Sequence, residues 1–350
     1  MRVRRLIAVL LGSSVILGAC SSGEPPTAEV VAALTEEALI PMLTSATEST
    51  AVLAEELEGF CSDPSPAGVE SLHATWAEAQ RSWKMVELVI YFGPAEMLRT
   101  QSMVHYLPVS QDGIDELLAS DTVIDVDYIE NRAASTQRGL GAIEFVLFTD
   151  PGADTQPRAC ALALAAAVIA ADRTSQLEEA WVTGEDGEPY AEQFVSEMDV
   201  LDSMAEVIGA IVETFRRLSS RELGPALGIT SAEPDLATLT EGRSGAGADA
   251  YLAQGEGIDT ILRAGGDTSL LNLIRARSPE LADRIEASLT SLKDSLEAID
   301  TPLAQMAQQS PDQLTAIYEL LAELHVLFEA DVVSVLGITL GFSDTDGDGG

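Results

Sequence analysis

Apolar residues recur along this chain at steps of three and four, and that spacing restricts it to helices packed on helices. Leu72, Trp76, Ala79, Trp83, Val86 and Ile90 keep to one side of a 3.6-residue turn. Leu201, Met204, Ile208, Ile211, Phe215 and Leu218 repeat the pattern, as do Leu314, Ile317, Leu321, Leu324, Phe328, Val332 and Val335. The long alternation of apolar and polar residues that a half-buried strand requires is missing. Aromatic residues make up only 5% of the chain, while Ala and Leu abound, which suits close helix-on-helix contact. The expected fold class is all-α.

Interruptions of the pattern divide the chain. Phe92–Gly93–Pro94 is expected to stop the first striped helix. A Gly/Glu/Pro cluster at 184–189 separates a helical bundle over 28–183 from a second over 190–343, with an acidic tail at 344–350. Asp344, Asp346 and Asp348 are spaced like the start of a calcium loop, but no Glu follows at the twelfth position, so the tail reads as solvated.

The first nineteen residues are a targeting signal, with a basic start (Met1 to Arg5) and an apolar run too short to span a bilayer comfortably. Leu17, Gly18, Ala19 and Cys20 resemble a bacterial lipobox, which makes Cys20 the lipidation site and residues 20–27 a short linker. Ser21, rather than Asp, after the cysteine favours the periplasmic side of the outer membrane. No later apolar run is expected to span a membrane. Anchored there, the body reaches the membrane only through its lipid. Export leaves Cys61 and Cys160 as an even pair in an oxidising compartment; a disulfide is expected, with two buried thiols as the alternative.

Charge excludes one class of partner. The formal net charge is −38, and losing Arg2, Arg4 and Arg5 with the signal makes it more negative. A nucleic-acid backbone would be repelled. Metal cations would be attracted, although an acidic proteome or a high-salt habitat accounts for the same excess.

Five stretches in order resemble the imelysin family of bacterial envelope proteins. "WAEAQRSWKMVELVIYFGP" carries Trp76, Trp83, Glu87, Phe92, Gly93 and Pro94, with Gln80 where the family has Arg. "VHYLPVSQDGID" supplies Pro108, Asp112, Ile114 and Asp115. "RGLGAIEFVLF" matches the family's Gly-x-His-x-x-Glu at Gly139 and Glu144, but its histidine is Gly141 here. "EGRSGAGADAYLAQGEGI" brings Arg243 and Ser244, and "FEADVVSVLGITLGF" the C-terminus. The resemblance runs from about Leu34 to the end. It implies two packed helical bundles and a role in iron- or haem-responsive uptake, with an envelope iron-uptake partner. It also carries a nominal peptidase activity.

The candidate metal ligands are Glu87, Glu144 and His105, with iron as the expected ion. A His and a Glu three apart share a helix face and can share a metal, but without its imidazole Glu144 is a single carboxylate ligand. Glu87 could join it in an oxygen cluster at a bundle centre, or form a buried ion pair with Arg81, Arg138 or Arg243. His105 could replace the missing nitrogen or serve as a hydrogen-bonded structural residue. His73 reads as exposed, and His325 with Glu329 as an i, i+4 ion pair. The sequence contains no HExxH and no phosphate loop. The leading expectation is therefore a binding or accessory protein of iron acquisition; a metallopeptidase and an envelope scaffold are the alternatives.

Overall fold

The computed structural model describes residues 23–149, 156–184, 187–196 and 198–341. The expectations for the signal segment, Cys20 and the acidic tail lie outside these residues. Every regular element among those described is helical.

Helix α1 (Ile40–Ser62) continues from Thr27–Leu34 through a π-helical turn at Thr35–Leu39. Helix α2 (Pro66–Val86) starts where Ser65 accepts from the Gly68 N–H and Pro66 presets the first turn. Helices α3 (Gly139–Leu147) and α4 (Pro157–Val182) follow, and α1 packs against both α2 and α4. On α4 the buried Ala163, Ala166, Ala167 and Ala170 present little bulk, which lets helix axes approach closely. Cys61 at the end of α1 and Cys160 in the first turn of α4 are joined by a disulfide, with Cα atoms 5.8 Å apart.

The second group contains α5 (Val200–Arg216), α6 (Gly247–Arg263), α7 (Leu270–Arg277), α8 (Pro279–Glu297) and α9 (Pro311–Val326). Helix α8 packs on α6, α7 and α9, and α9 on α5. The two groups meet where α2 crosses α6. The crossing is close because residue 257 is glycine; a Cβ there would lie 1.9 Å from the Met85 carbonyl oxygen.

Three details differ from the sequence reading. Leu201, assigned to an apolar stripe, is 56% exposed, because the first turn of α5 points it outward. Helix α2 ends at Val86, not at the Phe92–Pro94 turn; a 3₁₀ turn over Glu87–Tyr91 intervenes. Thr27–Ser62 and Pro157–Val182 are long and apolar enough to cross a bilayer by length and composition, although no later run was expected to be. Half or more of each apolar window is buried inside the fold, as in core helices.

Candidate functional site

The last turn of α2 and the 3₁₀ turn after it bring Lys84 and Glu87 to one side, three residues apart. Both are buried. The Lys84 ammonium donates to the two Glu87 carboxylate oxygens at 3.2 and 3.1 Å. It also lies 3.9 Å from Glu241 Oε1. His105 stands just beyond the short helix Thr100–Val104. Its Nδ1 is 3.3 Å from Glu87 Oε1 and its Nε2 is 3.2 Å from Glu241 Oε1, so the ring bridges two carboxylates.

The opposite wall is a π-helical turn, Arg217–Leu223, that continues α5. Five-residue spacing brings Arg217 and Glu222 together in that turn, where they form an ion pair. The Arg217 guanidinium also donates to Glu87 Oε2 at 2.9 Å. Two residues of α6 complete the network. Tyr251 donates to Glu222 Oε2 at 2.9 Å, and Gln254 donates to Glu87. A cavity of about 360 Å³ opens on this cluster, with Glu87, His105, Arg217, Arg221 and Glu222 in its wall.

Each buried acid responds to its neighbours. Burial pushes the Glu87 carboxyl up, but Lys84, Arg217 and His105 outweigh it and hold it well below the usual range. At Glu241 burial again works upward, while Lys84 and His105 bring the group down to about 2. Burial raises Glu222, against the pull of Arg217 and Lys84. His105 is pushed down by burial and by Lys84, yet the carboxylates of Glu241 and Glu87 beside it leave it raised overall.

Glu144 belongs to a neighbouring site. Its Oε1 accepts the Arg243 N–H at 3.1 Å, the Ser244 N–H at 2.8 Å and the Ser244 hydroxyl at 2.8 Å. Burial and the nearby Glu241 raise its pKa against these donors. Gly139 begins α3 at φ +70°, with Val104 O only 2.4 Å from where a Cβ would stand. At Gly141 a Cβ would lie 2.5 Å from Val109 Cγ2. Val109 thus occupies the space a longer side chain would need.

Of the sequence-predicted residues, Glu87 and His105 come together, while the loop at 243–244 holds Glu144. The proposed arginine partners of Glu87 lie elsewhere. Arg81 pairs with Glu256, Arg138 donates to the carbonyls of Ser102, Ile129 and Glu130, and Arg243 lies 3.9 Å over the Phe145 ring. Trp76 donates to Leu140 O at 2.9 Å. Gln80 and Trp83 are buried, and Gln80 Nε2 and Trp83 Nε1 have no hydrogen-bond partner among the described residues. His73 is not exposed; it stacks on Phe148 at 3.9 Å and bonds Leu147 O. His325 lies 3.8 Å from Glu329.

These residues do not fit a bound metal as they are arranged. Both His105 nitrogens face carboxylate oxygens, Lys84 lies against Glu87, and residue 141 offers no nitrogen. Among the described residues, no group of three or more His, Cys, Asp or Glu side chains is arranged to hold a metal ion as the structure stands. Sequence reasoning missed Lys84, Arg217, Glu222, Glu241, Tyr251 and Gln254. Only Lys84 left a readable signal, as a cation three residues before an acid on a buried helix.

A family model described as Imelysin matches residues 39–330. The chain is 21% identical over 312 residues to Iron-regulated protein A of Synechococcus elongatus, covering 83% of this chain and 82% of that protein. The fold resembles the crystal structure of an imelysin-like protein from Psychrobacter arcticum (TM-score 0.73, 17% identity). It also resembles that of a putative iron-regulated protein A precursor from Parabacteroides distasonis (TM-score 0.75, 16% identity). Each match covers 90% of this chain and 97% of the other.

Proposed function

Because the chain belongs to the imelysin family, we propose that it acts in iron acquisition at the cell envelope as a binding or accessory protein, not as a peptidase. Its similarity to an iron-regulated protein and its lipobox-like start support the setting. The observation that carries the reading is the cavity of about 360 Å³, whose buried carboxylates are already paired with the chain's own cations. A catalytic zinc needs about three protein ligands and an open position, which this arrangement does not offer. Pockets of roughly 300 Å³ and above take small molecules. The cargo that suits this one is iron held in an organic chelate with carboxylate oxygens, which Arg221 in the cavity wall can meet.

Equilibrium dialysis of the purified protein tests this with a ferric hydroxycarboxylate chelate and with bare ferrous, zinc and calcium ions. We expect retention of the chelate, and its loss in Arg221→Ala. Bare ions bound as tightly as the chelate would overturn the reading, as would chelator-sensitive cleavage of a denatured protein substrate.

A further inference from the structure

We infer that Lys84 is the resident cation of this site: its ammonium, together with the imidazolium of His105, holds the place between Glu87 and Glu241 that a divalent metal would otherwise fill. The site is metal-free by construction.

Three observations carry this. Lys84 is almost wholly buried, and its Nζ contacts Glu87 at 3.1 Å and Glu241 at 3.9 Å. A buried ammonium survives only beside carboxylates that compensate it, and here it is a compact charge set between two. His105 spans the same two carboxylates, with a ring nitrogen 3.3 Å from one and 3.2 Å from the other. A carboxylate oxygen beside each nitrogen favours the doubly protonated ring by charge, and in that form neither nitrogen has a lone pair for a metal. Two single positive charges thus balance two carboxylates, as one divalent ion would.

Glu241 supplies the third observation. It is a buried non-glycine residue at φ +48°, and neither of its oxygens receives a well-directed hydrogen bond among the described residues. Backbone strain of this kind persists only where surrounding structure imposes it. What satisfies Glu241 is charge rather than hydrogen bonding, and Lys84 and His105 provide it. Other charged groups border the cluster without entering the gap: Arg217 on Glu87, Glu222 on Arg217, and Glu144 near Glu241.

Removing the ammonium while keeping the bulk should unmask a metal site of Glu87, His105 and Glu241. The test is Co²⁺ titration of full-length Lys84→Met at pH 8, followed by visible d–d absorption and by proton release. The expected result is one Co²⁺ per chain, bound at least about tenfold more tightly than by wild type, and lost in Lys84→Met/Glu241→Gln. Thermal melting covers the case of a weakly folded variant. Co²⁺ should raise the melting temperature of Lys84→Met, but not that of the double variant. No gain in binding and no metal-dependent rise would overturn the inference. So would wild-type Co²⁺ binding that Glu241→Gln abolishes. The inference does not depend on the chelate reading: that test fails or succeeds on Arg221 with Lys84 intact.

Discussion

Gly141 and Val109 share one space, and their geometry decides what the motif position can do. A Cβ at 141 would lie 2.5 Å from Val109 Cγ2, so restoring a histidine there overpacks the core. Gly141→His is expected to lower stability by about 1–3 kcal/mol. Adding Val109→Ala should recover much of that, as measured by urea denaturation; strict additivity would show that Val109 is not the obstacle. His105 gives a pH prediction. Its folded pKa is raised above 6.5, so its contribution is complete below that value and fades as pH rises through the folded value. Glu241, lowered to about 2 from 4.5, contributes above pH 4.5 and loses its contribution as pH falls toward 2. Melting temperature should therefore decline on the alkaline side, and His105→Gln should flatten that decline; an unchanged slope would count against the bridging ring. The sequence identified Glu87, Glu144 and His105 as candidate metal ligands. It could not show that Glu87 and His105 face each other while backbone amides claim Glu144, because a loop one hundred residues away in sequence supplies those amides.

The crossing of α2 over α6 sets the position of Lys84 and Glu87, and two glycines on α6 separate geometry from propensity. Gly257→Ala would place a methyl 1.9 Å from Met85 O, prising apart the helices that carry Lys84 and Gln254. A loss of roughly 3 kcal/mol is expected by chemical denaturation. Gly255→Ala meets only Leu292 Cδ2 at 3.9 Å, so helix propensity should make it neutral or stabilising by up to about 1 kcal/mol. Similar losses at both sites would refute the close-crossing account. Helices themselves were legible, since Trp76, Trp83, Phe215 and Phe328 of the apolar stripes are buried as their spacing required. The π-helical turn was not. Residues five apart on an α-helix point well away from each other, so nothing in Arg217–Leu223 announces that Arg217 and Glu222 pair. Only the wider register of that turn aligns them.

At the scale of the molecule, a covalent link and a charge network act at different places. The Cys61–Cys160 disulfide spans 99 residues of sequence within the first helical group. Chain-entropy reasoning puts its contribution at about 4–5 kcal/mol, so the Cys61→Ser/Cys160→Ser variant should denature at clearly lower urea. The network instead joins the two groups. Glu87 receives Lys84 from the helix just before it, together with Arg217 and Gln254 from the second group. Removing one partner of a buried pair costs roughly 3–5 kcal/mol because the other charge is stranded, whereas removing both can cost far less. Glu87→Gln and Lys84→Met should therefore each destabilise strongly. The double variant should lose less than the sum of the two, by 1 kcal/mol or more. Arg217 keeps Glu222 in either case, so the coupling measures the Lys84–Glu87 contact and not the whole cluster. Additive losses would mean that Lys84 and Glu87 act through their other partners rather than on each other. A non-additive cycle would mean that this ion pair sets Glu87 where Arg217 and Gln254 of the second group reach it, and would explain why so acidic a chain commits one of its few lysines to the interior.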